Sequence, residues 1–139
     1  AHGSIEKGQM ERLGIMRPLT MVLTKERTIE GIREGLQSGR TLALFHNIIA
    51  AKRELAVEFV NSCLTINKIG ATGKNNNYLI HNKSDIPFHV RFEKKEIWIG
   101  KSSFVNISAP ANDSKINLIF LNIFVSENEL LAHDLQILK

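Results

Sequence analysis

Residues 17–60, RPLTMVLTKERTIEGIREGLQSGRTLALFHNIIAAKRELAVEFV, read as strand, helix, strand, helix, and the chain beyond them reads as short strands. The apolar run 20–23 predicts the first strand. Thr28 follows, with a hydroxyl able to cap a helix N-terminus, and Glu30 then falls in the first turn near the positive end of the dipole. Ile29, Ile32 and Leu36 recur at spacings of three and four, and Gly39 stands where a left-handed C-terminal cap costs little. Gly31 and Gly35 each lose about 1 kcal/mol of helix propensity relative to Ala, so this helix leans on tertiary packing. Glycine is also what lets one backbone come close to another. The second strand, 41–45, follows at once, which suits a crossover in which two parallel strands flank the helix. A second helix over 51–63 carries Ala51, Leu55, Phe59 and Cys63 on one stripe, with Lys52, Arg53, Glu54 and Glu58 on other faces. Two strands make a poor sheet alone, so this front segment needs neighbours, from the rest of the chain or from outside it.

From Leu64 onward, β-rich runs at 64–69, 78–81, 88–92, 97–99, 104–107, 116–125 and 134–138 alternate with turn-forming stretches at 73–77, 83–85, 100–102 and 110–114. That spacing predicts a small sandwich. Phe88, Val90 and Phe92 point one way while His89 and Arg91 point the other, giving this strand a buried and a wet face. The run 116–125 is apolar on both faces except at Asn117 and Asn122, as expected of a central strand covered on both sides, with the front segment as the candidate cover. Asn122 reads as a buried amide satisfied by backbone, and Trp98 as a core or interface ring. The fold class expected is α+β: a strand-helix-strand-helix segment over 1–63, then a small antiparallel immunoglobulin-like β-sandwich over 64–139.

The 139 residues suffice for one respectable core or two small ones, and 43% hydrophobic content is ordinary for a globular protein. No run of eighteen apolar residues predicts a membrane span, and residues 1–20 carry Glu6, Lys7, Glu11, Arg12 and Arg17 where a signal peptide needs an apolar core. A formal charge of +4 is spread along the chain, without the clustered basic and aromatic face that nucleic acid demands. The single Cys63 excludes an internal disulfide and, on an apolar stripe, reads as an inert core thiol. The segment Gly70-Ala71-Thr72-Gly73-Lys74 lacks the spacing of a phosphate-binding loop and precedes a strand. Asn82-Lys83-Ser84, Asn106-Ile107-Ser108 and Asn112-Asp113-Ser114 fit the glycosylation sequon, a pattern frequent by chance.

RPLTMVLTKERTIEGIREGLQSGRTLALFHNIIA, taken with Ala1-His2-Gly3 ahead of it, resembles the closing segment of the polymerase and histidinol phosphatase (PHP) family of metal-dependent phosphoesterases. The later stretches Asn82-Lys83-Ser84-Asp85-Ile86-Pro87-Phe88 and Gly100-Lys101-Ser102-Ser103-Phe104 resemble the C-terminal β-sandwich of a secreted, phosphodiesterase-like bacterial branch. The resemblance covers nearly the whole chain, most strongly at residues 17–50. It departs from the family in three ways: the Asp of the Asp-x-His element would lie one residue before Ala1, the upstream His and Asp clusters are absent, and Gly31 and Gly35 stand where Ala is expected. The resemblance implies that His2 supplies a neutral imidazole to a cluster of divalent ions (Zn, Mn or Fe) that activates water against a phosphate ester. Residues 1–4, Ala-His-Gly-Ser, equally fit a cloning remnant. It further implies an upstream catalytic domain as partner, a periplasmic or secreted setting, and no catalysis or cofactor in this chain alone.

His46, His81, His89 and His133 stand at no ligand spacing from another His, Cys or acid, although His81 and His89 flank a loop and could meet across a hairpin. Two rival readings stand beside the phosphoesterase one. The chain could be a binding module that takes a carbohydrate or protein on the wet face around Trp98, His89 and Arg91, a reading that an exposed Trp98 would favour. Alternatively, an open strand edge or the unpaired front segment could drive self-association.

Overall fold

A computed structural model describes residues 18–111 and 114–138. Strand β1 (Leu19–Val22) leads to Thr28, whose Oγ1 accepts from the Gly31 amide at 3.0 Å and starts helix α1 (Ile29–Gln37). The helix ends as its sequence predicts. Gly39 adopts φ 67°, its amide donates to Leu36 O at 3.1 Å, and the Arg40 amide reaches Gly35 O at 2.9 Å, the paired bonds of a Schellman cap.

That cap decides the direction of the next strand. The Leu23 amide donates to Arg40 O at 2.9 Å while Arg40 Nε returns a bond to Leu23 O at 3.2 Å, so the excursion closes where it opened. Strand β2 (Thr41–Phe45) therefore starts beside the end of β1, with Thr41 opposite Val22 and Leu44 opposite Leu19. The pair is antiparallel, which corrects the expected parallel crossover. A crossover must carry the chain back along the strand to Leu19, and here residues 23–37 run out and back instead.

Glycine is what lets the helix lie down. A Cβ on Gly35 would stand 2.6 Å from Val22 Cγ1 and 3.0 Å from Leu23 O, and one on Gly31 would stand 2.5 Å from Glu26 O. The side of α1 that carries these glycines faces residues 22–26, and the apolar stripe of Ile29, Ile32 and Leu36 stays exposed.

A strand that sequence reading missed joins the front segment to the rest. His46 and Asn47, at φ 53° and 80°, make the two-residue turn typical of tight hairpins, and β3 (Ile48–Ala50) returns antiparallel to β2. Strand β3 then pairs in parallel with β9 (Lys115–Ser126), Ile49 opposite Ile123. Helix α2 (Arg53–Cys63) follows. Its buried stripe is Ala56, Phe59, Val60 and Cys63, rotated from the expected one because the helix packs against β2, β4, β9 and β10 together, and Leu55 is only half-buried.

The remaining strands are β4 (Leu64–Thr72), β5 (Asn75–Asn82), β6 (Phe88–Phe92), β7 (Lys95–Ile99), β8 (Phe104–Pro110) and β10 (Glu129–Leu138). One hydrogen-bonded path runs β1-β2-β3-β9-β10-β4-β5-β8, and β6 joins β9 while carrying β7. The path curls so that inward side chains of β4, β5 and β8 meet those of β6, β9 and β10 in one buried cluster that also takes Leu42, Ile49 and the α2 stripe. The chain is thus strand-rich with two helices. Its sheet is mixed rather than antiparallel throughout, because β10 also pairs in parallel with β4 (Ile137 opposite Ile66). Strand β9 is central as expected, with β10 on one edge and both β6 and β3 on the other; the front segment extends its edge through β3 and also packs α2 against it.

Candidate functional site

Alternation along β6 turns Phe88, Val90 and Phe92 into the core and leaves His89 and Arg91 on the outer face. The Glu93–Lys94 turn brings β7 back in register, so Trp98 stands opposite His89 and Glu96 opposite Arg91. The imidazole stacks on the indole with centroids 4.3 Å apart and planes within 5°. His89 Nε2 lies 3.3 Å from Glu96 Oε2, and Arg91 donates to Glu96 Oε1 at 3.2 Å. Trp98 is 56% exposed, so the core or interface expected for it is not found among the described residues.

The three candidate ligand-face residues therefore sit together, and Glu96 completes the group. Glu96 was missed in the sequence, where its position five residues after Arg91, across a two-residue turn, was the available signal. The result is a flat aromatic surface beside a carboxylate fixed by two cationic or polar partners. Such a surface can stack on the face of a sugar ring or on a partner's side chain while the carboxylate accepts hydrogen bonds.

His81 and His89 do not meet. They lie on β5 and β6, which are not paired, and His81 instead stacks on exposed Phe104 of β8 at 4.2 Å and 11°. His133 bonds Asn61 Oδ1 of α2 at 2.8 Å, and burial lowers its pKa despite the nearby Asp134. Burial also raises the Cys63 thiol, as expected of a core cysteine. His2 lies outside the described residues. Among the described residues no group of three His, Cys, Asp or Glu side chains is placed to hold a metal ion, so the donors present do not fit the divalent ions that the family resemblance implies. A shallow cleft of about 350 Å³ between β3, the start of α2 and the β9–β10 turn is lined by Ala50, Ala51, Phe124 and Val125, with Lys52, Ser126 and Glu127 at its rim.

Two buried amides hold the loops around this face. Asn122 Nδ2 donates to Asn47 O at 2.8 Å and Pro87 O at 3.1 Å, and its Oδ1 accepts from the His89 amide at 3.0 Å, the backbone satisfaction expected of it. It thereby ties the β2–β3 turn to the start of β6. Asn82, which opens the sequon Asn82-Lys83-Ser84, is fully buried. Its Nδ2 donates to Ile86 O and Gly100 O while its Oδ1 accepts from the Ser84 amide and hydroxyl, leaving no atom for a glycan.

No family model and no curated protein matches the chain. Among solved structures, it is similar to a two-domain protein from Bacteroides vulgatus ATCC 8482 described as containing a predicted PHP-like metal-dependent phosphoesterase, with a TM-score of 0.76 at 21% sequence identity. The likeness covers 91% of this chain and 40% of that one. At this identity it establishes a shared fold. The chain spans less than half the length of that protein.

Proposed function

We propose that this chain is the non-catalytic C-terminal portion of a PHP-like metal-dependent phosphoesterase. Residues 1–63 would close the catalytic domain, and residues 64–139 would form an accessory immunoglobulin-like β-sandwich that braces the active site or forms one of its walls. Hydrolysis of phosphoric esters, the divalent ions (Zn, Mn or Fe) and the other ligands partnering His2 would belong to the upstream barrel, in a bacterial protein of the periplasm or the exterior. The observation that carries this reading is the likeness of nearly the whole chain to less than half of a two-domain protein of that description.

The test compares this chain with a longer form extended upstream, using bis(p-nitrophenyl) phosphate with and without added Mn²⁺, Zn²⁺ or a chelator. Metal-dependent turnover is expected from the long form alone. Comparable turnover by the 139-residue chain would overturn the division of labour.

The stacked His89–Trp98 pair favours a second reading, a binding surface for carbohydrate or protein. Trp98 is the single tryptophan, so its fluorescence reports on that face directly. A shift on titration with a glycan panel supports the reading, and an unmoved spectrum across the panel rejects it for sugars.

A further inference from the structure

Helix α1 is packed by the wrong side for its sequence. At about 100° per residue, the stripe of Ile29, Ile32 and Leu36 is centred about 110° around the helix from Gly31 and Gly35, which are the residues that meet β1 and the loop after it. The stripe is consequently open, with Ile29 72%, Ile32 45% and Leu36 52% exposed. Of the ten large apolar side chains exposed among the described residues, six lie between 19 and 48, the others in the group being Leu19, Phe45 and Ile48. Strand β1 also pairs only with β2 among the described strands, which leaves its outer edge without a partner. An amphipathic helix whose stripe faces solvent beside an open strand edge is built to be covered.

We infer that the α1 stripe, with Leu19 at the β1 edge, is the seat of the polypeptide that precedes Ala1 in a longer form of this protein. The inference rests on the accessory-portion reading above and adds the face that docks. Two observations choose this occupant over a second copy. The related two-domain protein has 60% of its length outside the match (100% less the 40% covered). An upstream domain would also be joined to β1 through residues 1–17 of the same chain, which raises its effective concentration at this face to the order of mM, far above that of a free second copy at about μM.

The experiment introduces a single reactive cysteine as Ile32→Cys, and Ser108→Cys on the outer face of β8 as control, into both this chain and the upstream-extended form. Buried Cys63 stays in place as background. The maleimide labelling rate is then read. Position 32 is expected to label as fast as position 108 in the short chain and more slowly by about 100-fold in the long form, with position 108 unchanged between them. Equal rates at position 32 in both forms overturn the inference. Slow labelling in the short chain also overturns it, in favour of self-association if light scattering gives a dimer and of cover by residues 1–17 if it gives a monomer. The phosphoesterase reading is judged separately by turnover: a long form that protects position 32 but hydrolyses no phosphodiester keeps the docking face and loses the enzyme.

Discussion

Strands β6 and β9 hide their large side chains against each other, with Phe88, Val90, Leu118 and Phe120 fully buried, whereas the β1-α1-β2 unit turns glycines inward and isoleucines outward. The first region is stabilised by apolar burial, at about 1.5–3 kcal/mol for each large side chain. The second contributes Leu42 to the same core but holds α1 by the Schellman cap, the reciprocal Leu23–Arg40 bonds, and the Arg40–Glu34 ion pair, which keeps the Glu34 carboxyl below its usual range. Stability and exposure therefore divide by region. The β6 and β9 side chains find their cover within the chain, and the apolar stripe of α1 stays exposed.

The largest effect expected from this division is at Phe120, which meets Phe88 edge to face at 5.9 Å. Phe120→Ala should cost about 3–5 kcal/mol in urea unfolding, whereas Ile32→Ser in the same chain should stay within about 0.5 kcal/mol. A loss at Ile32 as large as that at Phe120 would break the comparison.

Asn122 tests the seam between the regions. Asn122→Ala leaves the carbonyls of Asn47 and Pro87 and the amide of His89 without their partner, and should cost about 2–4 kcal/mol. Amide exchange at His89 should accelerate with it. Unchanged exchange there would mean that water replaces the amide and that the seam is looser than drawn.

A smaller effect is expected at Gly35. Substitution by Ala returns about 1 kcal/mol of helix propensity, yet the new methyl would press on Val22 and on the Leu23 carbonyl, so Gly35→Ala should be net destabilising by about 1–2 kcal/mol. A higher melting temperature for this variant would show that α1 does not rest on β1.

The sequence made the regular parts of this fold legible because they obey local rules. Thr28 and Gly39 mark the ends of α1, and the alternation of Phe88, His89, Val90, Arg91 and Phe92 marks β6 and its two faces. What local rules do not contain is direction and rotation. The antiparallel return of β2 depends on bonds between Leu23 and Arg40, far apart in sequence, and the buried side of α2 depends on which strands surround it. Strand β3 escaped notice because three residues give no period, and its turn uses His46 and Asn47 at positive φ in place of the usual glycine. At the candidate site, Trp98, His89 and Arg91 were legible as an outer face. Glu96 was not, because a charge beside a turn looks solvated until the hairpin register places it opposite Arg91.

The least effect, and the one that probes how firmly α2 is held to β10, concerns His133. Its ring bonds Asn61 across the β10–α2 contact, and burial depresses its pKa more than Asp134 raises it. An unfolded histidine titrates near about pH 6.5, so the folded chain binds this proton less readily than the unfolded one does. The stability contributed by the neutral ring is complete above that pH and is lost as the pH falls towards the lowered folded value. The carboxyl of Asp134, held down chiefly by Lys115 and then by Asn117, and that of Glu34 lose their contributions only in the more acidic range where carboxylates protonate. Between pH 7.5 and 5, His133→Gln should therefore flatten the small decline in melting temperature while leaving the steeper acid limb in place. If both chains decline in parallel across that window, the ring is solvated and the α2 contact rests on its apolar stripe alone.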